Sequence, residues 1–226
     1  AADSAEATAA SGAAAGAPRP GDMLTADEMQ RAESLALQST AVQGVVGAAT
    51  DRDAALQAAT RGGADAADAL SALSDRPTYR VIYTQRYPDK DGAGRSAEVA
   101  VYRYDTGQTA YSKVDLSTGA VEAIEMPADL PVPIVPEEIE EAAAIARADE
   151  AVRAKLTAAG LDPDAASANA LLTVASDPDA ACGRHRCLRL FFGSLRNPVP
   201  AFDVVVDMVA LAVVETTDMP GEGLNP

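Results

Sequence analysis

A chain of 226 residues holds one large domain or two small ones, and its 48% hydrophobic content suffices for cores even with aromatics at only 4%. With 34 acidic against 18 basic residues the formal net charge is −16, a field that repels phosphate backbones and excludes nucleic acid and anionic membranes as expected partners. No apolar run approaches the roughly 20 residues of a membrane-spanning helix, so membrane insertion is not expected either.

Residues 1–22 open with AADSAEATAASGAAAGAPRPG, small and polar side chains that bury too little to fold. The composition resembles that of a linker left at a mature N-terminus after signal cleavage, so the expected setting is outside the cytoplasm: secreted, periplasmic or at the cell surface. A first α+β domain is expected over 23–128. It begins with LTADEMQRAESLALQSTAVQGVV (24–46), an amphipathic helix whose Ala32, Leu35, Ala36, Val42 and Val46 recur at helical spacing. Thr25 with Glu28 forms a capping box. Residues 47–77 are an Ala-rich insertion with the character of one or two short helices. Four strand-like segments follow, TYRVIYTQRY, SAEVAVYRYD, TAYSKVDL and AVEAIEM, separated by turns at PDKDGAG, DTG and STG.

The Pro-rich run DLPVPIVP makes 129–135 a stiff, extended linker. The second α+β domain, 136–218, starts with a helix in IVPEEIEEAAAIARADEAVRAKL (134–156). Pro136 suits its first position, and the carboxylates of Glu137-Glu138 and Glu140-Glu141 are expected on a solvated, dipole-matched helix start. Gly160-Leu161 and then Pro163 end it. Four more strand-like segments follow: ANALLTVAS, RCLRLFF, FDVVVDM and LAVVETT. The last connection contains no turn residue. Residues 219–226 are a flexible C-terminus.

The halves echo each other. At a spacing of 110, Glu28 meets Glu138, Ala32 meets Ala142, Ala36 meets Ala146, and Val42 meets Val152. VDLSTGAVEAIE (114–125) and VDMVALAVVETT (206–217) share their opening Val-Asp. The expectation is α+β: two tandem domains, each with one main helix on an antiparallel four-stranded sheet.

With that pattern in view, PEEIEEAAAIARADEAVRAKLTAAGLDP, and YRYDTGQTAYSKVDLSTGAVEAIEMP before it, resemble the small cystatin-like domains that come as a tandem pair at the N-terminus of copper amine oxidases. The resemblance implies a secreted setting and an accessory role beside a protein partner, with a secreted or membrane-anchored oxidase among the candidates. In that family the chemistry lies in a following β-sandwich, with three copper-binding histidines and a quinone-forming tyrosine in Asn-Tyr-Asp/Glu. Here His185 is the only histidine and no tyrosine follows an asparagine, so no catalytic residue or cofactor carries over. The expected function is that of a non-catalytic protein acting through protein–protein contacts; binding of a small ligand is the alternative, and a non-catalytic oxidase fragment or subunit a third reading.

QGVVG (43–47) matches the Gln-x-Val-x-Gly of cystatin protease inhibitors, but its place after a helix favours a glycine C-cap. GAGRSA (92–97) precedes an alternating strand, which favours a hairpin turn over a phosphate loop. DKDG (89–92) resembles the start of a calcium loop without its later ligands. In ACGRHRC, Cys182 and Cys187 could close a small disulfide ring or remain thiols; the disulfide is the expectation, hence an oxidising compartment. Metal held by both thiolates and His185 is disfavoured by Arg184 and Arg186 alongside. The tyrosines cluster in neighbouring strands, and Tyr83, Tyr102, Tyr104 and Tyr111 form the candidate partner or ligand surface.

Overall fold

A computed structural model describes residues 22–47, 78–88, 94–126, 131–174, 177, 179–194, 197–198 and 202–218. The expected insertion at 47–77, DKDG and the C-terminal tail lie outside them, save Gly47. The first unit comprises α1 (Ala26–Gln38), α2 (Thr40–Val46) and strands β1 (Tyr79–Arg86), β2 (Ser96–Arg103), β3 (Gln108–Asp115) and β4 (Val121–Ile124). The second comprises α3 (Pro136–Ala148), α4 (Glu150–Ala158), β5 (Ala168–Thr173), the one-turn α5 (Ala181–Arg184), β6 (Cys187–Ser194), the short β7 (Asn197–Pro198), β8 (Phe202–Asp207) and β9 (Ala212–Asp218). All pairings are antiparallel. The sheets run β1-β2-β3-β4 and β5-β6-β8-β9, with β7 on β6. The fold is thus α+β with two tandem units, as expected.

The single main helix per unit is not what forms. Each is broken into two, at Ser39 and at Asp149, residues 110 apart. Both take extended backbone and both act as the N-cap of the next helix. Ser39 Oγ accepts from the Val42 N–H at 3.3 Å, and Asp149 Oδ1 from the Val152 N–H at 3.0 Å. Short polar side chains compete for backbone donors in this way, so a continuous apolar stripe did not reveal the interruption. The capping box at Thr25 forms as expected, and Gly47 (φ 64) is the C-cap that ends QGVVG.

The repeat extends to a lock at the entrance of each helix pair. Arg95, just before β2, clamps Glu28 in two hydrogen bonds and donates to the carbonyls of Asp22 and Met23. Arg186, just before β6, clamps Glu138 at 2.7 and 2.8 Å and donates to the carbonyls of Val132 and Pro133. Every acceptor in the second set stands 110 residues after its counterpart in the first. The expected solvated helix start is corrected here: Glu137 and Glu140 are exposed, but Glu138 and Glu141 are buried, against Arg186 just before β6 and Arg80 of β1.

The Arg95 clamp, helped by the Thr25 cap, holds the Glu28 carboxyl down at about 2 from its ordinary 4.5. Its contribution is therefore present above about pH 4.5 and lost as pH falls toward 2. Both partners keep some solvent contact, so about 1–2 kcal/mol is at stake. Urea melts at stepped pH should show Glu28→Gln flattening the loss of stability across that window.

The echoing Val-Asp segments are scaffold. Asp115 Oδ1 accepts from the N–H groups of Ser117 and Thr118 at 2.8 and 3.0 Å; Asp207 Oδ1 does the same for Val209 and Ala210 at 2.8 and 2.9 Å. Gly119 (φ 77) closes the first turn. Leu211 (φ 58) closes the second and supplies the connection that lacked a turn residue. A Cβ on Gly119 would meet only the Leu35 side chain, at 3.8 Å, so the cost of a substitution falls on the backbone. Gly119→Ala should lower stability by about 1 kcal/mol, measured by chemical denaturation.

Strand alternation gives sheet 1 two buried faces. Ala97, Val99 and Val101 pack with Ala32, Ala36, Val42 and Val46 of α1 and α2. The intervening Ala100 and Tyr102 join Ile82, Tyr104 and Tyr111 in the core that holds α3, α4 and the inner face of sheet 2. In that core Leu188 and Leu190 of β6 and Val204 and Val206 of β8 meet Ala142, Ile145 and Leu156. Helix α3 thus serves both sheets.

Candidate functional site

Three of the four singled-out tyrosines are buried: Tyr102, Tyr104 and Tyr111. Tyr102 and Tyr104 do share a face, with rings edge to face at 5.0 Å. That face is covered by the chain's own second unit. The Tyr104 hydroxyl donates to Glu138 at 2.5 Å, and the Arg186 guanidinium lies 5.2 Å from the Tyr102 ring centre. Burial favours the neutral acid of Glu138, but the Arg186 bonds and charge outweigh it and hold the carboxyl below its usual range. Beside it Arg80 reaches Glu141 at 3.4 Å, both side chains fully buried. Half-buried Tyr83 donates to Glu98 at 2.6 Å; burial first, then that carboxylate, raises its phenol above the usual range.

A cleft of about 750 Å³ opens between the units. Tyr102 and Tyr111 line it; Tyr83 and Tyr104 do not. Its first-unit side includes Gln108 and Thr109 of β3, Ile124 of β4 and Met126 beyond it. Its second-unit side includes Leu172 and Thr173 of β5, Val174 and the segment from Cys182 to Arg186. Strands β4 and β5 are the edges of their sheets. Met126 and Val174 expose 38% and 72% of their surface, too much for ordinary core aliphatics.

The wall from 182 to 186 is fixed from both ends. Cys182 and Cys187 form the expected disulfide, with Cα atoms 5.4 Å apart, tying α5 to the start of β6. Gly107 (φ 67) lets the β2–β3 turn come close to the Arg184 carbonyl. His185 Nδ1 lies 2.7 Å from Oδ2 of buried Asp207, which leaves Nε2 as its remaining ring nitrogen. Sequence reasoning missed this partner, although the Asp207 turn was legible as an echo of Asp115. Among the described residues no group of three or more His, Cys, Asp or Glu side chains stands close enough to share a metal. For so short a ring, reduction of the disulfide should lower stability by about 2 kcal/mol, checked by thermal melts with and without reductant.

Among solved structures, the chain is similar to a copper-containing benzylamine oxidase from Hansenula polymorpha, at 14% sequence identity and a TM-score of 0.45. The match covers 90% of this chain and 30% of that one, so the chain spans less than a third of the oxidase. No family model and no curated protein matches.

Proposed function

We propose that this chain is a non-catalytic accessory protein of an extracytoplasmic compartment that holds a segment of a protein partner in the inter-unit cleft. The observation that carries the proposal is the meeting of two sheet edges at one cleft, with Met126 and Val174 exposed where β4 and β5 end. Edge strands offer backbone hydrogen bonds to an extended segment, and flanking apolar side chains give it something to bury. The disulfide supports an oxidising compartment. No helix of the described residues is long and apolar enough to cross a membrane.

A displayed library of random twelve-residue peptides tests this directly. Enriched peptides should lose at least tenfold in affinity on Val174→Glu, a change at an exposed site that should leave the melting temperature in place. A library yielding no binder sensitive to Val174→Glu would end the proposal. Small-ligand binding is the second reading, favoured by the cleft volume, which lies in the ordinary range for such sites.

A further inference from the structure

The two units carry different side chains where they meet the cleft. Asp115 and Asp207 cap equivalent turns, but only Asp207 also holds an imidazole. The locking arginines Arg95 and Arg186 are equivalent, and the residue before each is Gly94 in one unit and His185 in the other. The disulfide likewise belongs to the second unit. These additions surround one side of one cleft. In a chain of net charge −16, the lining includes Arg184, His185 and Arg186, with Glu125 as its one carboxylate among the described residues. Arg186 is neutralised by Glu138. Arg184 is exposed and gives one N–H to the Asp179 carbonyl at 2.9 Å, a small part of the five donors a guanidinium carries. The strand side of the same cleft supplies Ile124, Met126, Leu172 and Val174.

Resting on the reading above, we infer that the occupant is the carboxy-terminal end of a partner polypeptide with an apolar last residue. Its α-carboxylate sits on the Arg184 guanidinium. Its last side chain lies among Ile124, Met126, Leu172 and Val174. An interior residue offers a carboxylate only on an acidic side chain, which would leave the apolar lining unmatched, whereas an apolar last residue carries both a side chain for that lining and a carboxylate able to accept a charge-assisted, two-point hydrogen bond.

The test uses the whole protein and a fluorescein-labelled peptide ending in Val-Leu, as the free acid and as the amide, followed by fluorescence anisotropy. The free acid should bind at least tenfold more tightly than the amide. Arg184→Gln should remove that gap while leaving the amide unchanged, and decanoate should not displace the peptide at micromolar concentration. Equal affinity of acid and amide would overturn the inference but leave the cleft as a site for an internal segment, as would library peptides that bind with blocked C-termini. Persistence of the gap in Arg184→Gln would overturn it as well. Displacement by micromolar decanoate would assign the cleft to fatty acids instead. If neither peptide binds, the inference falls, and the Val174→Glu comparison still decides the broader reading.

Discussion

Glu138→Gln should destabilise the protein by about 3–5 kcal/mol at pH 7, while Glu28→Gln, at the equivalent position, should cost about 1–2 kcal/mol. The two carboxylates carry the same duties. Each is the third residue of its helix, each reaches back to a backbone N–H before the helix, and each is clamped by an arginine that also holds two carbonyls. They differ in surroundings. The Glu28 and Arg95 side chains keep 19% and 13% of their exposure, whereas those of Glu138 and Arg186 keep 0% and 3%. Removing the charge at Glu28 leaves Arg95 within reach of water. Removing it at Glu138 leaves a cation sealed between the units, with the Tyr104 hydroxyl losing its carboxylate partner too. Chemical denaturation of both variants under one condition checks the ratio; equal costs would mean that the inter-unit core does not exclude water from Arg186.

The second large effect belongs to Arg80. It is fully buried, and its guanidinium faces Glu141 of α3 across the unit boundary. Arg80→Met should cost about 3–5 kcal/mol, because it removes the buried guanidinium that the Glu141 carboxylate faces. Adding Glu141→Met should recover most of that loss, since an apolar pair of similar volume avoids the desolvation penalty that both ions incur. Denaturation midpoints of the wild type, both single variants and the double variant give the coupling directly. A double variant as unstable as the sum of the singles would show that the two residues do not act as a pair.

Much of the architecture was legible because its signals are local. Thr25 and Glu28 lie one turn apart, Gly119 sits in its own turn, and the strand segments alternate with the period of a pleated sheet. The helix breaks were hidden because Ser39 and Asp149 interrupt the backbone without interrupting the apolar stripe. The turn at Leu211 was hidden because a leucine there occupies the left-handed region where the first unit has glycine. Glu138 and Glu141 read as solvated side chains in the sequence because their partners arrive from far along the chain: Arg186 is 48 residues away and Arg80 is 61. One signal was available. Aligning the strands as well as the helices would have set Arg95 beside Arg186, each just ahead of its unit's second strand. The tyrosine cluster was found, and two of its members line the cleft, but periodicity cannot tell a face open to partners from one covered by the next unit.

The position of α3 bears on how the two copies can diverge. Helix α1 answers to one sheet, so a change in its apolar stripe needs an adjustment on one surface. Helix α3 meets sheet 2 with Ala142 and Ile145 and reaches the strands of sheet 1 through Glu138 and Glu141. Glu137 and Glu140 remain its outward positions near the start. A duplicated segment placed between two neighbours inherits the constraints of both, so drift between the copies should have fallen more heavily on the outer helix than on the inner one.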